Sequence, residues 1–201
     1  MPRTATQLAE LKESRREQIL AAALMVFGDK GVAAAQMSHV AKAAGVSKGT
    51  LYWYFDSKRE LVQALLQSEL DEFLATARGA GSGEDPGASM AAMLRRVFDN
   101  FAHRPQAMRF LLRMFIDDDL AELVGVSTAD AFEVVRAEVV KILGRFQQTG
   151  AISDDVDLRS LASLIMAVGD GLALQLLADP SSVDIGATTA LLLGITQTWS
   201  S

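Results

Sequence analysis

A run of hydroxyl, ammonium and aromatic side chains in the first quarter of the chain has the chemistry needed to contact a partner molecule. The Lys48 ammonium can donate to O6 and N7 of guanine, and the Thr50 methyl group can contact a thymine methyl. Gly49 permits close approach of the backbone, and the hydroxyls of Tyr52 and Tyr54 can bond phosphate oxygens. A short helix that carries these groups on its outer face fits the width of the major groove of B-DNA.

Two short helices joined by a tight turn must position these groups. Apolar residues at i, i+3, i+4 and i+7 predict the first helix, and they are Met37, Val40, Ala41 and Ala44. Gly45 ends this helix because glycine adopts the left-handed conformation without a Cβ penalty, and Ser47 can cap the next helix. That second helix is expected to bury Leu51 and Phe55. The pattern therefore predicts a helix-turn-helix.

The sequence from Ala43 to Leu61, AAGVSKGTLYWYFDSKREL, resembles the DNA-binding signature of the tetracycline-repressor (TetR) family of bacterial regulators. Ala-Gly-Val-Ser, Gly-Thr-Leu-Tyr, Tyr-Phe and Ser-Lys match at fixed spacing. Beyond the N-terminal quarter only length, helical pattern and element order agree with the family. The resemblance assigns DNA contacts to residues at the start of the first short helix, in the second short helix and just beyond it. They are Gln36, Ser38, Lys48, Gly49, Thr50, Tyr52, Trp53, Tyr54 and Lys58.

Some positions leave more than one interpretation open. Relatives usually have a threonine cap where this chain has Gln36, which can donate to a phosphate but caps poorly, at a cost of about 1 kcal/mol. Either Trp53 or Tyr54 could pack against the first or fourth helix instead of facing DNA. His39 is interpreted as a surface residue. The basic residues near the N-terminus either approach the DNA backbone or are simply solvated, and they are Arg3, Lys12, Arg15 and Arg16.

Other candidate chemistries are weaker. Gly45 to Gly49 fits the G-x-S-x-G pattern of serine hydrolases, but that pattern requires a preceding strand, and here a helix precedes it. The chain has no cysteine, which excludes disulfides and thiolate metal sites. It has two histidines, so few residues could serve as a catalytic base. The aspartates from Asp117 to Asp119 are interpreted as an exposed turn. No catalytic residue, metal or cofactor is therefore expected, and the chain is not expected to be an enzyme.

Charge is distributed unequally along the 201 residues. Residues 1–60 contain nine Lys or Arg and six Asp or Glu, whereas residues 61–201 contain ten and nineteen. A basic N-terminal part can attract phosphates, while the acidic remainder disfavours indiscriminate DNA binding. The N-terminus lacks the apolar segment of a signal peptide, so a cytoplasmic location is expected.

The apolar periodicity predicts an all-α fold of about nine helices. The resemblance implies a three-helix helix-turn-helix domain at residues 1–57 and a larger helical domain for ligand binding and dimerisation at residues 58–201. The stretch from Gly79 to Ser89 is predicted as a flexible connection. Helices are predicted from near Leu8 or Ser14 to Lys30, from Lys58 to about Arg78, from Met90, from Pro105, from the Asp119 cap to Thr149, from the Asp157 cap to Ala178, and from Ile185 to Trp199.

Three of these helices carry further expectations. The helix that begins at Pro105 is expected to bury Met108, Leu111, Leu112, Phe115 and Ile116. The helix that ends at Thr149 is expected to break between Gly125 and Thr128. The segment from Leu161 to Ala178 is apolar almost all round, but Asp170 at its middle and its marginal length argue against a membrane span.

A helix that is apolar on every side in a soluble protein must be covered on every side. We therefore expect the last two helices to pair with those of a second copy in a four-helix interface. The expected interface residues are Leu161, Ile165, Gly169, Leu172, Leu176, Leu191, Ile195 and Trp199. The alternative is a monomer that hides these helices under its own.

The resemblance implies a homodimeric regulator, most often a repressor in this family, that binds a palindromic operator and is released by a small molecule. An apolar or aromatic effector would enter a pocket lined by Phe98, Phe101, His103, Arg109, Met114, Phe115, Phe146 and Met166. The same aromatic and methionine residues could instead be plain core. The alternative function is a helical small-molecule binding protein with a vestigial DNA-reading head.

Overall fold

The computed structural model describes residues 5–79, 86–116, 122–125 and 127–198. Within these ranges the chain forms nine bounded α-helices and no strand, which confirms the all-α prediction. They are α1 Ala5–Lys30, α2 Met37–Ala43, α3 Lys48–Tyr54, α4 Lys58–Gly79, α5 Pro86–His103, α6 Pro105–Ile116, α7 Thr128–Gln148, α8 Leu158–Ala178 and α9 Ile185–Thr198. Residues 122–124 form one further helical turn.

The chain divides into two compact units. The described residues within Met1–Glu69 and Arg109–Val126 form unit 1, and those within Leu70–Met108 and Ser127–Ser201 form unit 2. Helices α4 and α6 contribute residues to both units. The division at residues 57 and 58 stays a prediction about domains, but unit 1 also includes the start of α4 and the segment from Arg109.

The core of unit 1 joins the first four helices to α6. Ile19 and Phe27 of α1, Leu51 of α3 and Leu61 of α4 are fully buried in one cluster. The sequence pattern missed Phe110, which is also fully buried and stacks on Phe27 with 6.2 Å between ring centroids. The spacing had selected Leu111 and Leu112 of α6, and both are only half-buried.

Helix α5 begins earlier than predicted. Pro86 opens the helix, as suits a residue that lacks an amide hydrogen and has its φ already fixed. Pro86 to Ser89 therefore belong to α5, and the predicted connection from Gly79 to Ser89 was too long. The apolar residues of this helix that are buried in unit 2 are Met90, Met93, Leu94, Val97 and Phe98.

The break predicted between Gly125 and Thr128 is confirmed. Gly125 has a φ of +74°, and α7 begins at Thr128 with Ser127 Oγ accepting from the Asp130 amide at 3.0 Å. The preceding turn is bonded to α4 within unit 1, because Gln63 Nε2 donates to the Val124 carbonyl at 2.8 Å. The predicted aspartate turn and the Asp119 cap lie outside the described residues.

Helix α8 lies in the core of unit 2, with Asp157 accepting from the Ser160 amide at its start. It is long and apolar enough to cross a membrane by length and composition alone, with a mean hydropathy of 1.8. Seven of its residues are buried within the unit. Asp170 at its middle is half-buried, and burial raises the pKa of its carboxyl group.

Candidate nucleic-acid interface

The turn between α2 and α3 is built as the sequence predicts. Gly45 has a φ of +64°, and Ser47 Oγ accepts from the Thr50 amide at 2.9 Å. The same Oγ lies 2.8 Å from the Thr50 hydroxyl, which therefore already has a partner and leaves the methyl group for a base contact. Ser47 thus caps a helix that follows another helix, and the geometry of a hydrolase nucleophile is absent at this position.

Helix α3 has a buried face and an exposed face. Leu51 and the following Phe55 are buried in the core of unit 1. Lys48, Gly49 and Thr50 are exposed, and the exposed fraction is 40% for Tyr52 and 65% for Trp53. Tyr54 is half-buried and packs against the core, so of the two aromatic residues in question it is the one that packs inward.

The N-terminal part of α1 brings cations to the aromatic residues of α3. Lys12 Nζ lies 4.9 Å from the centroid of the Trp53 ring, and the Arg16 guanidinium carbon lies 5.4 Å from that of Phe55. Arg15 donates to the Gln18 side chain at 2.9 Å. Arg3 lies outside the described residues. Lys12 and Arg16 are therefore more than a solvated basic end, because each contacts a specific ring beside the exposed face of α3.

Lys58 makes a contact that the sequence did not predict. Its ammonium donates to the Ala33 carbonyl in the loop before α2 at 3.2 Å, and partial burial lowers its pKa. Ser57 and Glu60 have the spacing of a capping box at the start of α4, but the observed bonds differ from one by a residue. Ser57 Oγ accepts from the Glu60 amide, but the Glu60 carboxylate accepts from the Asp56 amide at 2.6 Å. An ammonium has three N–H donors, so this bond leaves Lys58 able to donate to a phosphate as well.

The start of α2 is capped by a residue that sequence reasoning treated as ordinary surface. The Gln36 amide donates to His39 Nδ1 at 3.2 Å, and the Ser38 hydroxyl donates to the Gln36 side-chain oxygen at 3.3 Å. His39 lies three residues after Gln36, which is the spacing of the Glu or Gln in a capping box. That spacing was the available signal. Gln36 and Ser38 remain exposed.

The predicted pocket residues that the structure describes lie in different surroundings, and the pocket stays a prediction. Phe98 and Phe146 are buried in the core of unit 2, with Phe101 half-buried 6.1 Å from Phe98. Met166 is half-buried, and His103 is exposed with Nδ1 2.7 Å from the Asp99 carbonyl oxygen. The exposed Arg109 belongs to unit 1, where it pairs with Asp29 at 3.9 Å. The side chains of Met114 and Phe115 lie outside the described part of the chain.

Most of the residues predicted for the interface on α8 are buried within the single chain. Five of the selected residues are buried against the core of their own unit, and they are Leu161, Ile165, Gly169, Leu172 and Leu176. Gly169 faces a ring of the same chain, since a Cβ there would lie 3.1 Å from Cε2 of Phe101. The Ile195 side chain and Trp199 lie outside the described residues. Leu191 alone of the described set is exposed, at 71%.

A different face of α8 is open to solvent. Leu164 and Leu174 are exposed, and a Cβ added at Gly171 would meet no atom within 4 Å. An open cleft runs beside this face between α8 and α9. Its lining includes Gly171, Leu172, Gln175, Ala187, Thr188 and Leu191. We call Leu164, Gly171, Leu174 and Leu191 the α8–α9 surface.

Two family models cover most of the chain. Residues 19–65 match the model described as "Bacterial regulatory proteins, tetR family". Residues 86–197 match the model described as "BetI-type transcriptional repressor, C-terminal". The first match contains the whole of α2 and α3, and the second contains nearly all of α5 to α9.

Curated relatives align along nearly the whole chain. The HTH-type transcriptional regulator TtgR of Pseudomonas putida is 30% identical over 196 residues, which cover 94% of this chain and 90% of TtgR. BetI of Rhizobium meliloti is 29% identical, with 88% of this chain and 85% of BetI covered. Among solved structures, FadR from Bacillus subtilis in complex with stearoyl-CoA has a TM-score of 0.71 at 20% identity, covering 90% of this chain and 96% of FadR. That likeness shows a shared fold.

Proposed function

Because this chain belongs to the TetR family of bacterial transcription regulators, we propose that it is a cytoplasmic repressor that binds a palindromic operator as a homodimer. The observation that carries the proposal is that α3 is buried on one side and exposed on the other. Leu51 and Phe55 anchor the helix in the core, while Lys48, Tyr52 and Trp53 stay exposed beside them. A short helix that is anchored on one side and polar and aromatic on the other suits insertion into the major groove.

The proposed role of each side chain follows from the groups that it can present to DNA. The Lys48 ammonium would read guanine, and the Thr50 methyl would contact thymine because the hydroxyl is already bonded to Ser47. The Tyr52 hydroxyl would bond a backbone phosphate and fix the register of the helix. Gln36 and Ser38 at the start of α2 would contribute further phosphate bonds.

A second copy of the chain is the proposed occupant of the α8–α9 surface. Leu174 and Leu191 are more than half exposed in the single chain, and the open position at Gly171 permits close helix packing. Apolar surface of this kind is removed from water when helices of two copies form a four-helix interface. A two-fold axis at this surface would present two copies of α3 to one operator.

The proposed effector is an apolar or aromatic small molecule that binds among the helices of unit 2. Phe101 and Met166 are the predicted apolar pocket residues of unit 2 that are partly exposed among the described residues, so an apolar effector can contact them. Binding releases DNA if the effector prefers the conformer in which the spacing of the two α3 helices does not match the operator. By linkage, operator DNA would weaken effector binding by the same factor.

Titration of DNA from upstream of the protein's own gene tests the proposal. Lys48→Ala and Tyr52→Ala are each expected to weaken specific binding by about 5- to 150-fold, which corresponds to the about 1–3 kcal/mol of one good base or charged contact. Fluorescence anisotropy at two salt concentrations measures the effect, and affinity should fall as salt rises. Lys141→Ala is the matched control, because it removes the same charge from α7.

The alternative function, a binding protein with a vestigial reading head, makes the opposite prediction. Its support is Gln36 in place of the usual threonine cap and the excess of acidic residues in residues 61–201. In that case upstream and scrambled DNA would bind equally weakly, and Lys48→Ala would behave like Lys141→Ala. Such a result would reject the repressor.

A further inference from the structure

Helix α1 begins well before the residues that it contributes to the core of unit 1. Its first fully buried residue is Ile19, and the residues from Gln7 to Arg15 are exposed, including Leu8 and Leu11. Lys12 is therefore not held by the core of unit 1. Its ammonium nevertheless lies 4.9 Å from the centroid of the Trp53 ring on the outer face of α3.

Trp53 has two contacts that fix its ring. The ring meets Tyr54 edge to face, with centroids 4.8 Å apart and an interplanar angle of 88°. Tyr54 is half-buried and packs against the core, which restricts the movement of its ring. Lys12 adds a cation over the indole, an attraction that is strongest for tryptophan among the aromatic side chains. An indole that is 65% exposed would otherwise exchange between rotamers.

We propose that Lys12 is a positioning residue that holds the Trp53 indole in the orientation in which α3 reads DNA, so that Trp53 contributes to the choice of base. This inference rests on the proposed function. The indole presents a broad apolar surface, and the apolar feature of the major groove is the C5 methyl group of thymine. Trp53 is thus assigned the contact with a thymine methyl, and Lys12 acts through Trp53.

A double-mutant cycle separates this role from a direct phosphate contact by Lys12. Lys12→Met keeps the length of the side chain and removes its charge, and it is expected to weaken operator binding by about two- to fivefold, from the usual strength of an exposed cation–π contact. In the Trp53→Ala background the same change is expected to have no effect. Lys12→Arg should retain wild-type affinity, because a guanidinium also stacks on indole. Equal weakening in both backgrounds would overturn the proposal.

Base preference is a measurement that a purely structural role of Lys12 would leave unchanged. Replacing operator thymines by uracil one at a time removes single methyl groups. At one position this replacement should weaken binding by the wild-type chain, have a smaller effect on Lys12→Met and have none on Trp53→Ala. If every position responds alike in the three proteins, Trp53 reads no methyl group and the proposal is wrong.

The contact can be tested without DNA. The chain has two tryptophans, so Trp199→Phe leaves Trp53 as the sole indole. Lys12→Met in that background should increase acrylamide quenching and lower the fluorescence anisotropy of Trp53, whereas Arg15→Met, nearby on α1, should change neither. Unchanged quenching would show that Lys12 does not cover the indole. Absence of specific DNA binding by the wild-type chain would instead reject the proposed function and, with it, the role in reading DNA.

Discussion

Phe110→Ala is expected to lower the free energy of unfolding of unit 1 by about 3–5 kcal/mol, the usual range for removing a buried phenylalanine ring. Phe110 is fully buried and stacks on Phe27 of α1, and Arg109 beside it pairs with Asp29. The reading helices share this core, so operator affinity should fall along with stability. Urea unfolding followed by circular dichroism measures the change.

The matched variant is Phe110→Leu, which keeps most of the buried volume and should cost less than about 1.5 kcal/mol. Leu8→Ala, at an exposed position of α1, should stay within about 0.5 kcal/mol of the parent chain. The comparison also tests the predicted division at residues 57 and 58. If residues 1–57 were a self-sufficient domain, Phe110→Ala would leave the stability and DNA binding of the reading head unchanged, and that result would contradict the core described for unit 1.

The double variant Leu174→Glu, Leu191→Glu is expected to convert the proposed dimer to monomers. Both side chains are exposed in the single chain, so each monomer should fold normally with an unchanged circular dichroism spectrum. In a paired interface the carboxylates would be buried without partners, which costs about 3–5 kcal/mol for each such charge. Sedimentation velocity at micromolar concentration measures the oligomeric state, and operator binding should fall with dimerisation.

Leu8→Glu provides the control, because Leu8 is 54% exposed and Leu174 is 58% exposed. The control adds a carboxylate at an equally exposed leucine outside the α8–α9 surface. It should leave the dimer intact. A double variant that stays dimeric, or a Leu8→Glu chain that dissociates equally, would remove the α8–α9 surface from the interface.

Local spacing was sufficient to predict the elements that position the candidate interface. Gly45, Ser47, Leu51 and Phe55 each act within one or two helical turns, and the structure has each of them in its expected role. The break near Gly125 is a local feature for the same reason. Capping, helix termination and one-sided burial depend on neighbours in the chain, so one sequence contains the necessary information.

Contacts between distant parts of the chain could not be predicted in the same way. Phe110 pairs with Phe27 across more than eighty residues, and the Lys58 ammonium bonds a carbonyl of the loop before α2. In α8 the sequence could not show which face is buried within the chain, and the cause is different. A helix that is apolar all round has no polar face to mark its solvent side, so the residues selected for the interface were the ones that pack inward.

The pocket assignment stays a prediction, because spacing does not separate a pocket from a core. Phe98 and Phe146 have the same helical spacing whether they line a cavity or fill a core, and in this chain they are buried among other side chains of unit 2. Arg109 was selected as a polar group for the pocket, but it pairs with Asp29 in unit 1. The effector site must therefore be located by ligand binding and not by residue type.

Footprinting of the protein on DNA upstream of its own gene tests the central claim most directly. We predict a protected palindrome whose two half-sites lie about one helical turn, or a multiple of one turn, apart, because two copies of α3 related by a two-fold axis enter the major groove on one side of the duplex. Protection should disappear for Lys48→Ala and for the monomeric Leu174→Glu, Leu191→Glu variant. A wild-type chain that protects no discrete site, or protects one that the monomeric variant occupies equally well, would contradict a dimeric operator-binding regulator.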